Sequence, residues 1–237
     1  MNLDYASIFD ERGSQYHAAM RAHPRARDAE FDQLFAARPL RAGETLLDIP
    51  AGGGYLARHL GASAEVTQLE FTAGFSGEVP VVDQSGDWPV GTFDRVVSLA
   101  ALHHIPDRPG YAARLRAHVR PGGTLHVADV DASSPMREFL DGFVGRYNGT
   151  GHAGVYFGAD IDWLAAGHRV VRNAVVPCPW MFASRDAMLD FCMGLFGLQG
   201  CTHEALAGSL ARNVGFEVGP AGARLDWHLR YVDIALD

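Results

Sequence analysis

Cysteine is scarce in this chain. Cys178, Cys192 and Cys201 share no CxxC spacing and are odd in number, so reduced thiols are expected rather than a disulfide framework or a thiolate-held zinc. The eleven histidines form no HExxH or similar ligand pattern, and no metal is expected on that count. Positive charge is the minority sign, 20 basic against 28 acidic residues for a net charge of −8, with the arginines scattered among acids. A nucleic-acid partner would call for a basic stripe and is not expected. No apolar run approaches a membrane span, and the opening MNLDYASIFDERG lacks a basic start followed by an apolar stretch. No membrane association and a cytoplasmic location are the expectations. Internal repeats and low-complexity tracts are also missing.

What remains is a globular composition, 48% hydrophobic and 20% charged over 237 residues, enough for one domain with a full core. Residues 3–20 place Tyr5, Ile8, Phe9, Arg12 and Tyr16 at helical spacing. RARDAEFDQLFAAR continues the pattern through Phe31, Leu34 and Phe35, so two helices are predicted ahead of the first strand. From Thr45 the texture changes. TLLDIP, EVTQLE, VPVVD, FDRVVSLAAL and GTLHVADV read as short buried strands, with GYLARHL and GYAARLRAHV as helices between them. Apolar β-branched runs alternating with helices imply parallel strands joined by crossovers, an α/β, doubly wound sheet. Beyond Asp131, SSPMREFLDGFVGRYN reads as a helix capped by Ser133 or Ser134, and GTGHAGVYFG as a loop. IDWLAAGHRVVRNAVVP reads as helix, glycine turn and sixth strand. SRDAMLDFCMGLFGL and HEALAGSLARNVG read as two further helices, and ARLDWHLRYVDIAL as the closing strand. The expected organisation is a single domain over residues 1–237: lid helices 1–40, ligand-binding core 45–131, a mostly helical cover 132–222 and a last strand 223–237. The sheet is expected to be mostly parallel and seven-stranded.

Three consecutive glycines follow a carboxylate in LLDIPAGGGYLARHL, residues 46–60, at a strand-to-helix turn. Glycine there lets a ligand approach closer than a Cβ would allow. Glu70 closes the next strand about 20 residues on, where an acid can accept from both hydroxyls of a ribose. Loop and acid together indicate an adenosine-containing ligand. Gly52-x-Gly54-x-x-Ala57 matches a dinucleotide fingerprint, but Asp48 stands where a pyrophosphate would lie. A carboxylate there repels a phosphate and attracts a cationic ligand end.

LLDIPAGGGYL, then LE, FDRVVSLAALHHIPD and RPGGTLHVADV, in that order, resemble a class I S-adenosylmethionine-dependent methyltransferase. The chain is most similar to the small-molecule group with HH after the fourth strand, the ubiquinone and menaquinone methyltransferase motif set. The likeness covers about residues 45–131. Pro50 stands where the family often has glycine, and DQSGDWP is longer than the usual linker, leaving Asp83 or Asp87 as the adenine contact. The resemblance implies a Rossmann-like fold and S-adenosylmethionine as cofactor. It implies that Asp48, Ala51, Gly52 and Gly54 border the methionine part, that Glu70 takes the ribose hydroxyls and that Phe71 lies against adenine. It implies Asp83 on the adenine amino group with Gln84 beside it, and backbone carbonyls of Leu99 and Ala100 toward the ammonium.

His103 and His104 follow the fourth strand on the rim where an acceptor would approach, and His152 lies on a glycine-flanked loop. Each is a candidate proton acceptor, with packing or surface positions as the plainer alternatives. Of the aromatics, Tyr16 and Trp180 are the candidates for a pocket around a cationic sulfur, and Tyr16 also for catalysis. The cover carries no basic cluster to hold a phosphate, so a small apolar or zwitterionic substrate is expected. A monomer or homodimer is expected. Three alternatives stay open: an enzyme cyclising S-adenosylmethionine itself, similar to azetidine-2-carboxylate synthases; a non-enzymatic cofactor-binding regulator or subunit; and a nicotinamide dehydrogenase.

Overall fold

The computed structural model describes residues 4–75 and 78–237. Residues 1–3 of the expected lid, Leu3 of its first helix included, and residues 76–77 of the expected core lie outside the described residues.

Asp4 caps the first helix, α1 (Tyr5–Ala22), by accepting from the Ser7 N–H at 3.0 Å. α2 (Asp28–Leu34) follows, and then the alternating core begins: β1 (Thr45–Asp48), α3 (Tyr55–Leu60), β2 (Glu65–Gln68), β3 (Phe93–Leu99), α4 (Arg108–Ala117) and β4 (Val119–Asp129). A π-helical turn over Glu138–Val144 runs into the single turn α5 (Gly145–Tyr147). The chain continues through α6 (Asp162–Ala165), β5 (Arg169–Pro177), β6 (Trp180–Phe182), α7 (Arg185–Leu195), α8 (His203–Asn213), β7 (Phe216–Gly219), β8 (Gly222–Leu225) and β9 (His228–Ala235).

Six strands form the main sheet in the order β2-β1-β3-β4-β9-β5. The pairs from β2 through β4 are parallel and those involving β9 are antiparallel. Consecutive apolar residues along each strand serve opposite faces. Leu46, Val97, Ala128 and Tyr231 pack into one core, and Leu47, Val96, Leu125 and Val232 into the other. Both faces are covered, which is why these strands read as unbroken apolar runs.

Two expectations are corrected here. Among the described residues the main sheet has six strands, not seven, and segment 79–83 makes only a parallel bridge between Val81 and Glu70. Pro80 brings no N–H to extend that pairing, and Asp83 turns the chain away by accepting from the Ser85 N–H at 2.8 Å. The closing strand is two strands. β8 joins β6 and β7 in a separate three-stranded antiparallel sheet, and the chain re-enters the main sheet as β9. The cover keeps its helices and, besides the expected sixth strand, adds the short strands β6 and β7. Among the described residues no helix is long and apolar enough to cross a membrane.

Candidate active site

The chain leaves β1 for β2 on one side and later returns to β3 on the other, so the end of β1 is the switch point of the sheet, where open parallel sheets bind ligands. Gly52 and Gly54, in the turn into α3, adopt φ of +57° and +73°. A Cβ on Gly54 would stand 2.4 Å from the Gln68 side-chain oxygen. The Gln68 side chain could swing aside, but the left-handed backbone itself already favours glycine there, apart from any ligand. The Gly52 N–H donates to Glu70 Oε2 at 2.7 Å and the Phe71 N–H to Oε1 at 2.7 Å, while the Tyr5 hydroxyl reaches Oε2 at 3.2 Å. Burial outweighs these three bonds and raises the Glu70 pKa from its ordinary 4.5 to about 7.

Asp48 is 3% exposed and opens onto a cavity shared with Ala51, Gly52, Leu99, Ala100 and Tyr16. No side-chain donor or cation meets its carboxylate among the described residues, and burial, then the charge of Glu70, push its pKa well up. An acid left so is costly unless a ligand completes it. Tyr5, Phe9, Tyr55 and Phe75 supply aromatic walls. Ala100 holds φ of +53°, a left-handed conformation that costs a side-chain-bearing residue about 1–2 kcal/mol. Such strain recurs at functional sites.

A second cavity adjoins the first, and Phe9, Tyr16, Arg27 and Ala100 line both. Its polar corner holds His103, His104 and His152. His103 Nδ1 lies 2.7 Å from Asp129 Oδ1, and the His103 backbone N–H donates to Oδ2 at 3.1 Å. His152 Nδ1 lies 2.8 Å from Asp141 Oδ1, which also accepts from the Tyr156 hydroxyl at 2.5 Å. Burial, reinforced by the other two histidines and Arg12, drives the His104 pKa well down. Burial also lowers that of His152, against the opposing bond to Asp141. Arg12 completes the lining. Its Nε is buried without a partner, its Nη1 donates to the Leu195 carbonyl at 3.3 Å, and burial lowers its pKa to about 10.

The structure thus brings Asp48, Ala51, Gly52, Leu99, Ala100 and Tyr16 to one chamber. It brings His103, His104, His152 and Trp180, again with Tyr16 and Ala100, to the next. Trp180 stacks on Trp227 with centroids 4.3 Å apart and donates its indole N–H to Glu30, so it walls the histidine chamber rather than the Asp48 chamber. Gly54, Glu70 and Phe71 line neither chamber. Gly54 faces Gln68, Glu70 ties the glycine loop to the end of the second strand, and Phe71 is buried edge-on against Tyr5. Asp83 is exposed, its carboxylate lowered in pKa by the Ser85 N–H and hydroxyl, while Gln84 keeps a buried Oε1 with no partner. Sequence reasoning missed the cavity role of Arg12 and of Arg27, which pairs with Glu30, and both carboxylates behind the histidines. Asp129 left a signal, an acid closing an apolar strand; Asp141, within a helix, left none.

A family model described as a methyltransferase domain matches residues 20–176. The chain belongs to that family, within the class I S-adenosylmethionine-dependent methyltransferases. The 27-O-demethylrifamycin SV methyltransferase of Amycolatopsis mediterranei is 30% identical over 120 residues, 41% of this chain and 43% of the relative. A ubiquinone biosynthesis O-methyltransferase of Pseudomonas paraeruginosa is 28% identical over 131 residues, 44% of this chain and 56% of the relative. The matches thus span about half the length of these curated relatives. Among solved structures, a Haloferax volcanii putative methyltransferase in complex with the Trm112 methyltransferase activator is 15% identical with a TM-score of 0.63, over 98% of this chain and 97% of that one, a likeness of fold.

Proposed function

We propose that the chain binds S-adenosylmethionine in the Asp48 chamber and transfers its methyl group to a small molecule held in the histidine chamber. The observation that carries this reading is Asp48: a buried carboxylate with no counter-charge among the described residues, opening onto an aromatic-walled cavity at the sheet's switch point. A ligand with an ammonium and a sulfonium supplies the missing positive charge, and aromatic faces favour the sulfonium by roughly 0.5–2 kcal/mol each when water is excluded. Glu70, fixed by the Gly52 and Phe71 N–H groups, would receive the ribose hydroxyls. The left-handed Ala100, with Leu99, would present carbonyls to the ammonium. Phe71 against the adenine, with Asp83 and Gln84 at its rim, remains part of the proposal. The buried, unsatisfied Gln84 Oε1 is an acceptor suited to an amino group.

Transfer is an in-line displacement. A lone pair on the acceptor attacks the methyl carbon, and the carbon–sulfur bond breaks with its electrons going to sulfur. The products are methylated acceptor and neutral S-adenosylhomocysteine, and the acceptor's proton leaves toward the histidine corner. Alignment and exclusion of water supply much of the rate. The second chamber, lined by Arg12 and three histidines, favours a separate acceptor over cyclisation of the cofactor's own tail. Incubation with S-adenosylmethionine alone tests this: little turnover is expected, and steady release of methylthioadenosine would favour the cyclase.

A further inference from the structure

We infer that His103, His104 and His152 form a three-histidine site for a divalent metal of the zinc type, with its open position facing the acceptor chamber. One ring nitrogen of each histidine lies within 4.8 Å of one in each of the others. Nitrogens bound at 2.0–2.1 Å to a tetrahedral zinc stand roughly 3.3 Å apart, so a modest closing of the rings completes the geometry. The rings already crowd together, His103 and His104 with centroids 4.0 Å apart and His104 and His152 at 4.9 Å.

The outer contacts are those that metal-binding imidazoles use. His103 and His152 each give Nδ1 to a carboxylate, Asp129 and Asp141, which fixes ring and tautomer and leaves the Nε2 lone pair free. Asp141 is itself held by the Tyr156 hydroxyl and the Gly154 N–H at 3.1 Å. His104 has no side-chain hydrogen bond among the described residues, so its ring is the one free to pivot. Three imidazoles and no thiolate or carboxylate in the inner set suit zinc better than magnesium or calcium.

The sequence singled out all three histidines but not their convergence, because they come from two places. His103 and His104 belong to the short turn after β3, and His152 to the loop after α5; the Val155 N–H ties that loop back to the His103 carbonyl at 2.9 Å. Arg12 lines the same chamber, with no acid partner among the described residues. That cation favours an anionic oxygen at the open position, such as an acceptor hydroxyl that ionises on the metal. That role rests on the methyltransferase reading, whereas the metal site itself does not.

Cobalt(II) titrated into metal-stripped full-length protein tests the site. The intense visible bands of four-coordinate cobalt are expected at one equivalent, displaced by zinc. Those bands should be lost in His104→Ala and His152→Ala. Asp141→Asn should weaken binding about 10- to 100-fold. S-adenosylhomocysteine affinity, read at the separate Asp48 chamber, reports whether each variant is folded. Bands absent from wild type, or equally strong in His104→Ala, would overturn the metal site. Cobalt bands with no S-adenosylhomocysteine binding in wild type would keep the metal site and overturn the methyltransferase reading.

Discussion

Glu70 shows how one buried acid can couple ligand binding to pH. In the proposed complex, ribose hydroxyls would donate to the ionised carboxylate, but burial places its pKa at about 7, so below that pH the group must shed a proton before it can accept both bonds. S-adenosylhomocysteine affinity is therefore expected to fall as pH drops below about 7, by at most about tenfold per unit for this one group. Calorimetry across pH checks this, and Glu70→Gln is expected to bind more weakly and to lose the Glu70 share of the dependence. Affinity in wild type that stays flat through this range would contradict the assignment. Tyr16 is a second residue-scale case. Its hydroxyl meets Arg27, and its ring lies between the two chambers. Tyr16→Leu is expected to lower methyl-transfer rate by about tenfold or more through misplacement of the two ligands, checked against any acceptor that shows turnover.

At the scale of elements, the proposed lid makes the sharpest claim. α1 places Tyr5 on Glu70, Phe9 and Tyr16 on both chambers and Arg12 on the histidine chamber, so one helical face lines the candidate site. Amide exchange in residues 5–22 is expected to slow when S-adenosylhomocysteine binds. Unchanged exchange there would remove the lid from the reading. The sequence displayed this face openly, since the spacing of Tyr5, Ile8, Phe9, Arg12 and Tyr16 is helical, and the strands from β1 to β4 were legible because both faces of each are buried. The segment 79–83 misled because its apolar run satisfies the strand pattern while Pro80 and the Asp83 turn limit its pairing. The closing segment misled because nothing in ARLDWHLRYVDIAL marks the switch between two sheets. Neither carboxylate behind the histidines was singled out, because those pairings join residues 26 and 11 positions apart through the fold.

For the whole molecule, the two acids at the switch point tie stability to function. Glu70 and Asp48 both have pKa values raised above their ordinary range. The folded state then holds protons that the unfolded chain releases, so their stabilising share is fully present below the ordinary carboxylate range and is lost as pH rises through the raised pKa of each acid. For Glu70 this loss runs from about pH 4.5 to 7, at no more than about 1.4 kcal/mol per pH unit. Denaturant midpoints of the unliganded protein are expected to fall less steeply across that window in Glu70→Gln than in wild type. Identical slopes would contradict it.

The reading stands on the Asp48 chamber as a receptor for a cationic adenosyl ligand. Its most direct test is isothermal calorimetry of S-adenosylhomocysteine, whose ammonium remains after methyl transfer, with wild type and Asp48→Asn. Wild type is expected to bind one equivalent, and Asp48→Asn, which keeps the shape and removes the charge, to bind at least about tenfold more weakly, the worth of roughly 1.4 kcal/mol. No heat with wild type, or equal affinity in the two proteins, would contradict it.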